Sequence, residues 1–330
     1  MTTIRDVAKE AGVSIATVSR VMNGTAKVND DKRALVNKAI EKLKFCPNEV
    51  ARTLFKKSSQ TLGLILPSIM NPFFNRLADA VERIANDNGY KLILCNTHGD
   101  AETEAEHLES LTLRQVDGFV VVSDSDVVDK YVEEYNVNVV VLDRYVAHNE
   151  KYKLKYPIVS VDNYEGGYIA GRHLIDCGCM KVAHIGMPQG SMTGELRGAG
   201  FSDAIKEEDK DLLIIKCAYN YEEGLKAANR LFDEYPRVDG VFAGNDLIAF
   251  AVITAAAVRK INIPNDLQII GFDDILFSQL VTPALTTIAQ SMDQLGELAT
   301  ELLIKKIEGE EVPSVVNLLP AKLIVRETTI

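Results

Sequence analysis

The sequence predicts an all-α helix-turn-helix head, joined by a hinge segment to an α/β body of two doubly wound parallel-sheet lobes. Three observations carry this expectation. Residues 1–58 hold 12 Lys and Arg against 6 Asp and Glu, whereas the remainder holds 24 against 41. Apolar residues in the basic head recur at helical spacing. From Thr61 onward, short β-rich apolar runs alternate with amphipathic stretches. A small basic module on an acidic body points to polyanion binding confined to one end. The expected boundaries are 1–46 for the head, 47–59 for the hinge and linker, and 60–330 for the body. Within the body, lobe one takes about 60–160 plus 291–320, and lobe two about 161–290 plus 321–330.

With 330 residues there is room for two or three domains with cores of their own. A hydrophobic content of 47% with 25% charged residues is that of an ordinary globular chain. No apolar stretch approaches the roughly 20 residues that span a bilayer. The N-terminus "MTTIRDVAKEAG" mixes both charges and lacks an apolar segment, so no signal peptide and a cytoplasmic location are expected. Cys46, Cys95, Cys177, Cys179 and Cys217 are scattered and odd in number, as free thiols would be. Cys177-Gly-Cys179 has His173 and His184 nearby but no zinc-site spacing, so neither metal nor cofactor is expected.

In the head, Ile4, Val7, Ala8 and Ala11 recur at i, i+3, i+4 and i+7, and Thr3 with Asp6 imitates a capping box. Gly12 breaks this helix. Ser14 caps a second, Ile15 to Met22, with Val18 and Val21 inward, and Asn23-Gly24 closes it. A third helix is expected from about Asp31 to Leu43, with Leu35, Ala39, Ile40 and Leu43 on its core face. Two short helices joined by a Gly-containing turn form a helix-turn-helix, which presents the start of its second helix to the major groove.

In the body, "TLGLILP", "YKLILCN", "DGFVVVS", "VNVVVLD" and "PIVSVD" read as one series of strands. "KVAHIGM", "DLLIIKC", "DGVFAGND", "LQIIGFDD" and "LTTIA" read as a second. Ligands of such sheets sit beyond the carboxyl ends of the strands. The polar and aromatic residues there are Asn71, Phe73, Phe74, Asp143, Arg144, Arg197, Tyr219, Asn245, Asp246, Asp273 and Gln290. Asp246 and Asp274 also read as helix caps. Adjacent positions such as Phe73 and Phe74 point about 100° apart on a helix. Either one ring enters the core and the other lies under a loop, or both line a cleft and flank a flat ligand. No G-x-G-x-x-G follows the first strand, and neither a Walker loop nor GxSxG occurs, so an enzyme is not expected.

The words "TIRDVAKEAGVSIATVSRVMNG" and "PNEVARTL" resemble the lac repressor family, and collinear similarity extends over essentially the whole chain. The resemblance implies a homodimeric transcriptional repressor of double-stranded operator DNA. Carried over by position, Ile15, Ala16 and Arg20 would read bases, with Arg suited to guanine and Ile and Ala to thymine methyls. Thr17, Ser19 and Asn23 would reach phosphates, beside the capping Ser14. "PNEVARTLFKK" would form a hinge helix in the minor groove, with Arg52 on the backbone and Leu54 wedged into the central base step.

"NPFF", "LDR", "RGAGF", "FAGND", "GFD" and "TIAQ" are similar, in order and spacing, to words of the periplasmic ribose-binding proteins. That likeness implies a sugar site of Asn71, Phe73, Phe74, Asp143, Arg144, Arg197, Tyr219, Asn245, Asp273 and Gln290. Tyr219 departs from it, since that protein type carries Phe there; its hydroxyl either bonds a sugar oxygen or reaches solvent. A sugar has apolar faces and an equator of hydroxyls, which suits rings above and below and planar hydrogen-bonding groups around the edge. The expectation is a repressor whose operator affinity falls on binding a small sugar, ribose first. The alternative is a catabolite-control-type global regulator with a phosphorylated carrier protein as corepressor.

Overall fold

The computed structural model describes residues 2–23, 28–45, 58–143 and 154–330. Gly24, Cys46, the hinge residues 47–57 with Arg52 and Leu54, Arg144 and the side chain of Asn23 lie outside the described residues. The chain divides into two units, Met1–Ser59 and Gln60–Ile330.

The head holds helices α1 (Ile4–Ala11), α2 (Ile15–Asn23) and α3 (Asp30–Leu43). The capping box is present: the Thr3 hydroxyl accepts from the Asp6 amide, and the Asp6 carboxylate accepts from the Thr3 amide at 2.8 Å. Gly12 ends α1 at φ 65°, a conformation that Gly adopts without strain. Ser14 Oγ accepts from the Thr17 amide at 3.2 Å and so starts α2. Val7, Ala8, Ala11, Val18, Val36 and Ala39 form the core. Leu35 was expected in that core and is exposed instead. The next residue, Val36, is fully buried and takes that place one position along, about 100° round the helix, while Ala39, Ile40 and Leu43 face the core as expected.

In chain order the body runs β1 (Thr61–Leu66), α4 (Pro72–Asp87), β2 (Lys91–Asn96), α5 (Ala101–Leu113), β3 (Gly118–Val122), α6 (Val127–Tyr135), β4 (Val139–Leu142) and β5 (Ile158–Val161). It continues with α7 (Asn163–Asp176), β6 (Lys181–Gly186), α8 (Met192–Glu207), β7 (Asp211–Lys216), α9 (Tyr221–Glu234), β8 (Gly240–Ala243) and α10 (Asp246–Val258). β9 (Gln268–Asp273), β10 (Thr286–Ala289), α11 (Met292–Ile307), β11 (Val316–Leu319) and β12 (Lys322–Ile324) complete it.

The strands build two sheets, ordered β2-β1-β3-β4-β5-β11 and β7-β6-β8-β9-β10-β12. All pairings are parallel except β10 with β12. β3 and β4 are buried along their whole length, as strands covered on both faces are. The order of each sheet reverses beside β1 in one and β6 in the other, which opens a crevice at those strand ends. The chain passes between sheets after β5, after β10 and again between β11 and β12. Among the described residues, no helix is long and apolar enough to cross a membrane.

Candidate functional site

Each lobe delivers polar side chains where a strand gives way to a helix. Asn71 caps α4 by accepting from the Phe73 amide at 3.0 Å, with Pro72 opening the helix. Asn245 caps α10 by accepting from the Ile248 amide at 3.0 Å, and its amide group donates to the Tyr219 carbonyl at 3.4 Å. Asp143 follows β4 at φ 53°, and Asp273 ends β9 at φ 119°. Phe73 is only 2% exposed and belongs to the core, whereas Phe74 is half-buried beside it, edge to face at 5.1 Å. One ring is core, and its neighbour packs against that core while staying partly exposed.

Arg197, on α8, is the centre of the assembly and is 3% exposed. Its Nε donates to Asn163 Oδ1 at 2.7 Å and its Nη1 to the Gly244 carbonyl at 2.8 Å. Nη1 also lies 3.9 Å from Asp273 Oδ1. The guanidinium stacks over Phe272, 3.7 Å from the ring centre, and sits 5.6 Å from that of Tyr219. α8 can bring it there because α7 and α8 touch through glycines: a Cβ on Gly167 would collide with the Arg197 carbonyl. Asp273 Oδ1 also accepts from Gln290 Nε2 at 2.6 Å, at the second passage between lobes.

Burial pushes Asp143 up to about 6, against the opposing pull of Arg197 and with a small push from Asp124. Burial likewise raises Asp273 well above the ordinary carboxylate range. The Tyr219 phenol is pushed up to about 12, so it stays protonated. Asp143, Arg197, Tyr219 and Asp273 all lie within one another's electrostatic reach. Among the described residues, Asp143 Oδ1, Tyr219 Oη and Gln290 Oε1 are enclosed without a hydrogen-bond partner. The Tyr219 hydroxyl therefore does not reach solvent. Unpaired buried polar atoms each cost about 1–3 kcal/mol, and three in one cluster suit a hydroxylated molecule.

Two aspartates differ from their expected role as caps. Asp246 lies inside the first turn of α10 and accepts from the Ile275 amide, Ser278 Oγ and Thr287 Oγ1 at 2.9, 2.6 and 2.6 Å. Asp274 pairs with Arg326 at 2.6 Å. Asn163 was missed by sequence reasoning. "VDNYEGG" reads as a capped helix start, and Asp162 does cap α7, but nothing in the spacing shows that the next residue turns inward. His184 is a core residue stacked on Phe242 at 4.8 Å, its Nδ1 donating to the Phe242 carbonyl at 3.0 Å. Burial lowers it to about 4. His173 instead meets Thr329 and Cys177. No group of three or more His, Cys, Asp or Glu among the described residues is placed to hold a metal ion. In the head, Ser14, Ile15, Ala16 and Arg20 are exposed, and Thr17 and Ser19 half-buried.

A helix-turn-helix unit and a two-lobed body with a polar cluster at its strand ends define a ligand-responsive DNA-binding regulator. Residues 3–48 match the bacterial regulatory proteins of the lacI family, and residues 59–327 match the periplasmic binding proteins and sugar binding domain of the LacI family. The chain belongs to the LacI family and is a DNA-binding repressor with a sugar-binding domain. It is 40% identical over 329 residues to the ribose operon repressor of Halalkalibacterium halodurans, covering 100% of this chain and 97% of that one. A periplasmic binding protein/LacI transcriptional regulator from Alkaliphilus metalliredigens, solved with D-xylulofuranose, is 36% identical with a TM-score of 0.73, covering 82% of this chain and 99% of that one. A LacI family regulator from Enterococcus faecium with bound ribose is 29% identical, also at 0.73, covering 82% and 98%.

Proposed function

We propose that the protein acts in the cytoplasm as a homodimeric repressor of operator DNA, released when D-ribose binds between the lobes of the body. The lobes are taken as about 60–160 plus 291–320 and about 161–290 plus 321–330. The observation that carries this reading is the cluster of Asp143, Arg197, Tyr219, Asp273 and Gln290 with its three enclosed, unpaired polar atoms. Asp143 and Asp273 accept from pairs of sugar hydroxyls, Arg197 and Tyr219 donate, and Gln290 Oε1 accepts one more. Phe74 covers one apolar face of the ring, and the half-buried Tyr219 ring covers another. Asn71 and Asn245 bring amide edges, and Arg144 follows Asp143 directly in sequence. Relatives bearing ribose in name or crystal support the choice of sugar. Two buried carboxylates beside a single described arginine disfavour a phosphorylated sugar.

In the head, Ile15, Ala16 and Arg20 read bases, Ser14, Thr17, Ser19 and Asn23 hold phosphates, and Arg52 and Leu54 belong to the minor-groove hinge. The test is calorimetric titration of the full chain with ribose, ribose 5-phosphate, xylose, D-xylulose and glucose. It is repeated on duplex selected by the chain from a random library. Ribose should bind most tightly and weaken DNA binding. Tighter binding of D-xylulose would reassign the effector. No sugar binding, with DNA affinity raised by a phosphorylated carrier protein, would install the corepressor reading.

A further inference from the structure

We propose that Asn163 is a positioning residue of the cleft: its neutral amide stands between the Asp143 carboxyl of one lobe and the Arg197 guanidinium of the other, and keeps both for the effector rather than for each other. Asn163 opens α7 directly after the first passage of the chain between sheets, so it is tied by its own backbone to β5 of lobe one and to α7. It is 1% exposed. Its Oδ1 accepts from Arg197 Nε at 2.7 Å, and its Nδ2 donates to the carbonyl of Val161, the last residue of β5, at 3.0 Å. The second bond fixes which way the amide faces, so the oxygen meets the cation. The same amide lies against Asp143 closely enough to favour its charged form.

A direct Asp143–Arg197 pair would satisfy both groups and cancel their charges, since a buried pair is held by each partner's need for the other. The amide prevents that collapse. It takes up one guanidinium donor and supports one carboxylate, while Asp143 Oδ1 stays unpaired. The groups facing Asp143 are Arg197 from α8, Asp124 after β3, Tyr219 after β7 and Asp273 at the end of β9. Among the described residues only Arg197 of these is cationic, and Asn163 is bonded to Arg197 and acts on Asp143. This inference rests on the reading that a sugar hydroxyl takes Asp143.

The test uses the full chain with Asn163→Ala and Asn163→Asp, titrated with ribose from pH 5.5 to 8, alongside operator binding without sugar and thermal midpoints. Asn163→Ala should weaken ribose about 10-fold, and Asn163→Asp about 30-fold or more, since a carboxylate there pairs with Arg197 and repels Asp143. In both, the midpoint of the pH dependence of ribose binding should move upward, because Asp143 loses the neutral amide that favours its charged form. Operator affinity should stay at the wild-type value. A merely structural role lowers the thermal midpoint and leaves the pH midpoint where it was. That result, or unaltered ribose affinity in both variants, overturns the inference while the sugar reading stands. If the wild-type chain binds no ribose at any pH, the sugar reading fails and this inference falls with it.

Discussion

Asp143 and Asp273 stand at corresponding places in the two lobes, each at the end of the fourth strand in its sheet, and each holds a positive φ, 53° and 119°. Such backbone costs an Asp about 1–3 kcal/mol and persists where the surroundings over-determine it. Both acids are enclosed and both feel Arg197. The two sheets thus carry a strained, desolvated acid at matching strand ends.

Asp273→Asn keeps the shape and can still bond Gln290, but removes the charge that the fold holds at a cost. Ribose affinity should fall about 10- to 100-fold, in line with losing hydrogen bonds to a charged acceptor. Operator affinity in the absence of sugar should be unchanged, and the thermal midpoint at pH 7 should rise. A lower midpoint, measured by calorimetry, would make Asp273 a structural counter-charge for Arg197.

The pH dependence of stability has opposing parts. Asp143 and Asp246 titrate at about 6 in the fold, against about 4 for an exposed Asp. Their contribution is fully present below about pH 4 and is lost as pH rises through 6. His184, lowered to about 4 from about 6.5, contributes fully above pH 6.5 and loses that contribution as pH falls toward 4. His184→Phe, which fits the stack on Phe242, removes the opposing part. The variant should then gain more thermal stability than wild type on going from pH 7 to pH 5. An equal or smaller gain would show that His184 is charged in the fold.

Among the described residues ten of the twelve strands were legible, because each is written as a nearly continuous apolar run, whether buried like β3 and β4 or at a sheet edge like β2 and β7. β11 and β12 were not, since "VNLL" and "KLI" are short edge strands placed by the third passage of the chain, not by their own pattern. The strand-end acids were visible as polar letters after apolar runs. Asn163 was hidden because its role depends on Arg197, 34 positions away, approaching through a glycine contact. Leu35 failed for a simpler reason: two adjacent apolar residues on α3 leave the inward one undecided by spacing.

Gly271 lies in β9 where a Cβ would run into Asp246 Oδ1. That carboxylate ties Ile275, Ser278 and Thr287 together. Gly271→Ala should destabilise the body by about 2–4 kcal/mol, as overpacking and a broken buried network together do. Denaturant midpoints would read this, and a loss below about 0.5 kcal/mol would mean that Asp246 has room to move.

Arg20 is exposed on α2. Arg20→Ala should cost about 1–3 kcal/mol on selected duplex and relax the preference at one base pair. Equal losses on selected and random DNA would make it a phosphate contact.

Coupling between the two units gives the strictest test. A sugar that touches both lobes favours the closed body only by as much as it binds closed better than open. If closure weakens the joint hold of two heads on one operator, ribose should lower operator affinity by a coupling free energy of about 1–3 kcal/mol. Linkage then requires operator DNA to lower ribose affinity by the same factor. Arg197→Ala or Phe74→Ala should repress normally without sugar and fail to release with it. The two factors can be measured independently, by fluorescence anisotropy on labelled duplex and by calorimetry with duplex present and absent. Unequal factors at equilibrium would mean that ribose and DNA bind different populations of the protein, and a ribose-induced rise in operator affinity would refute release outright.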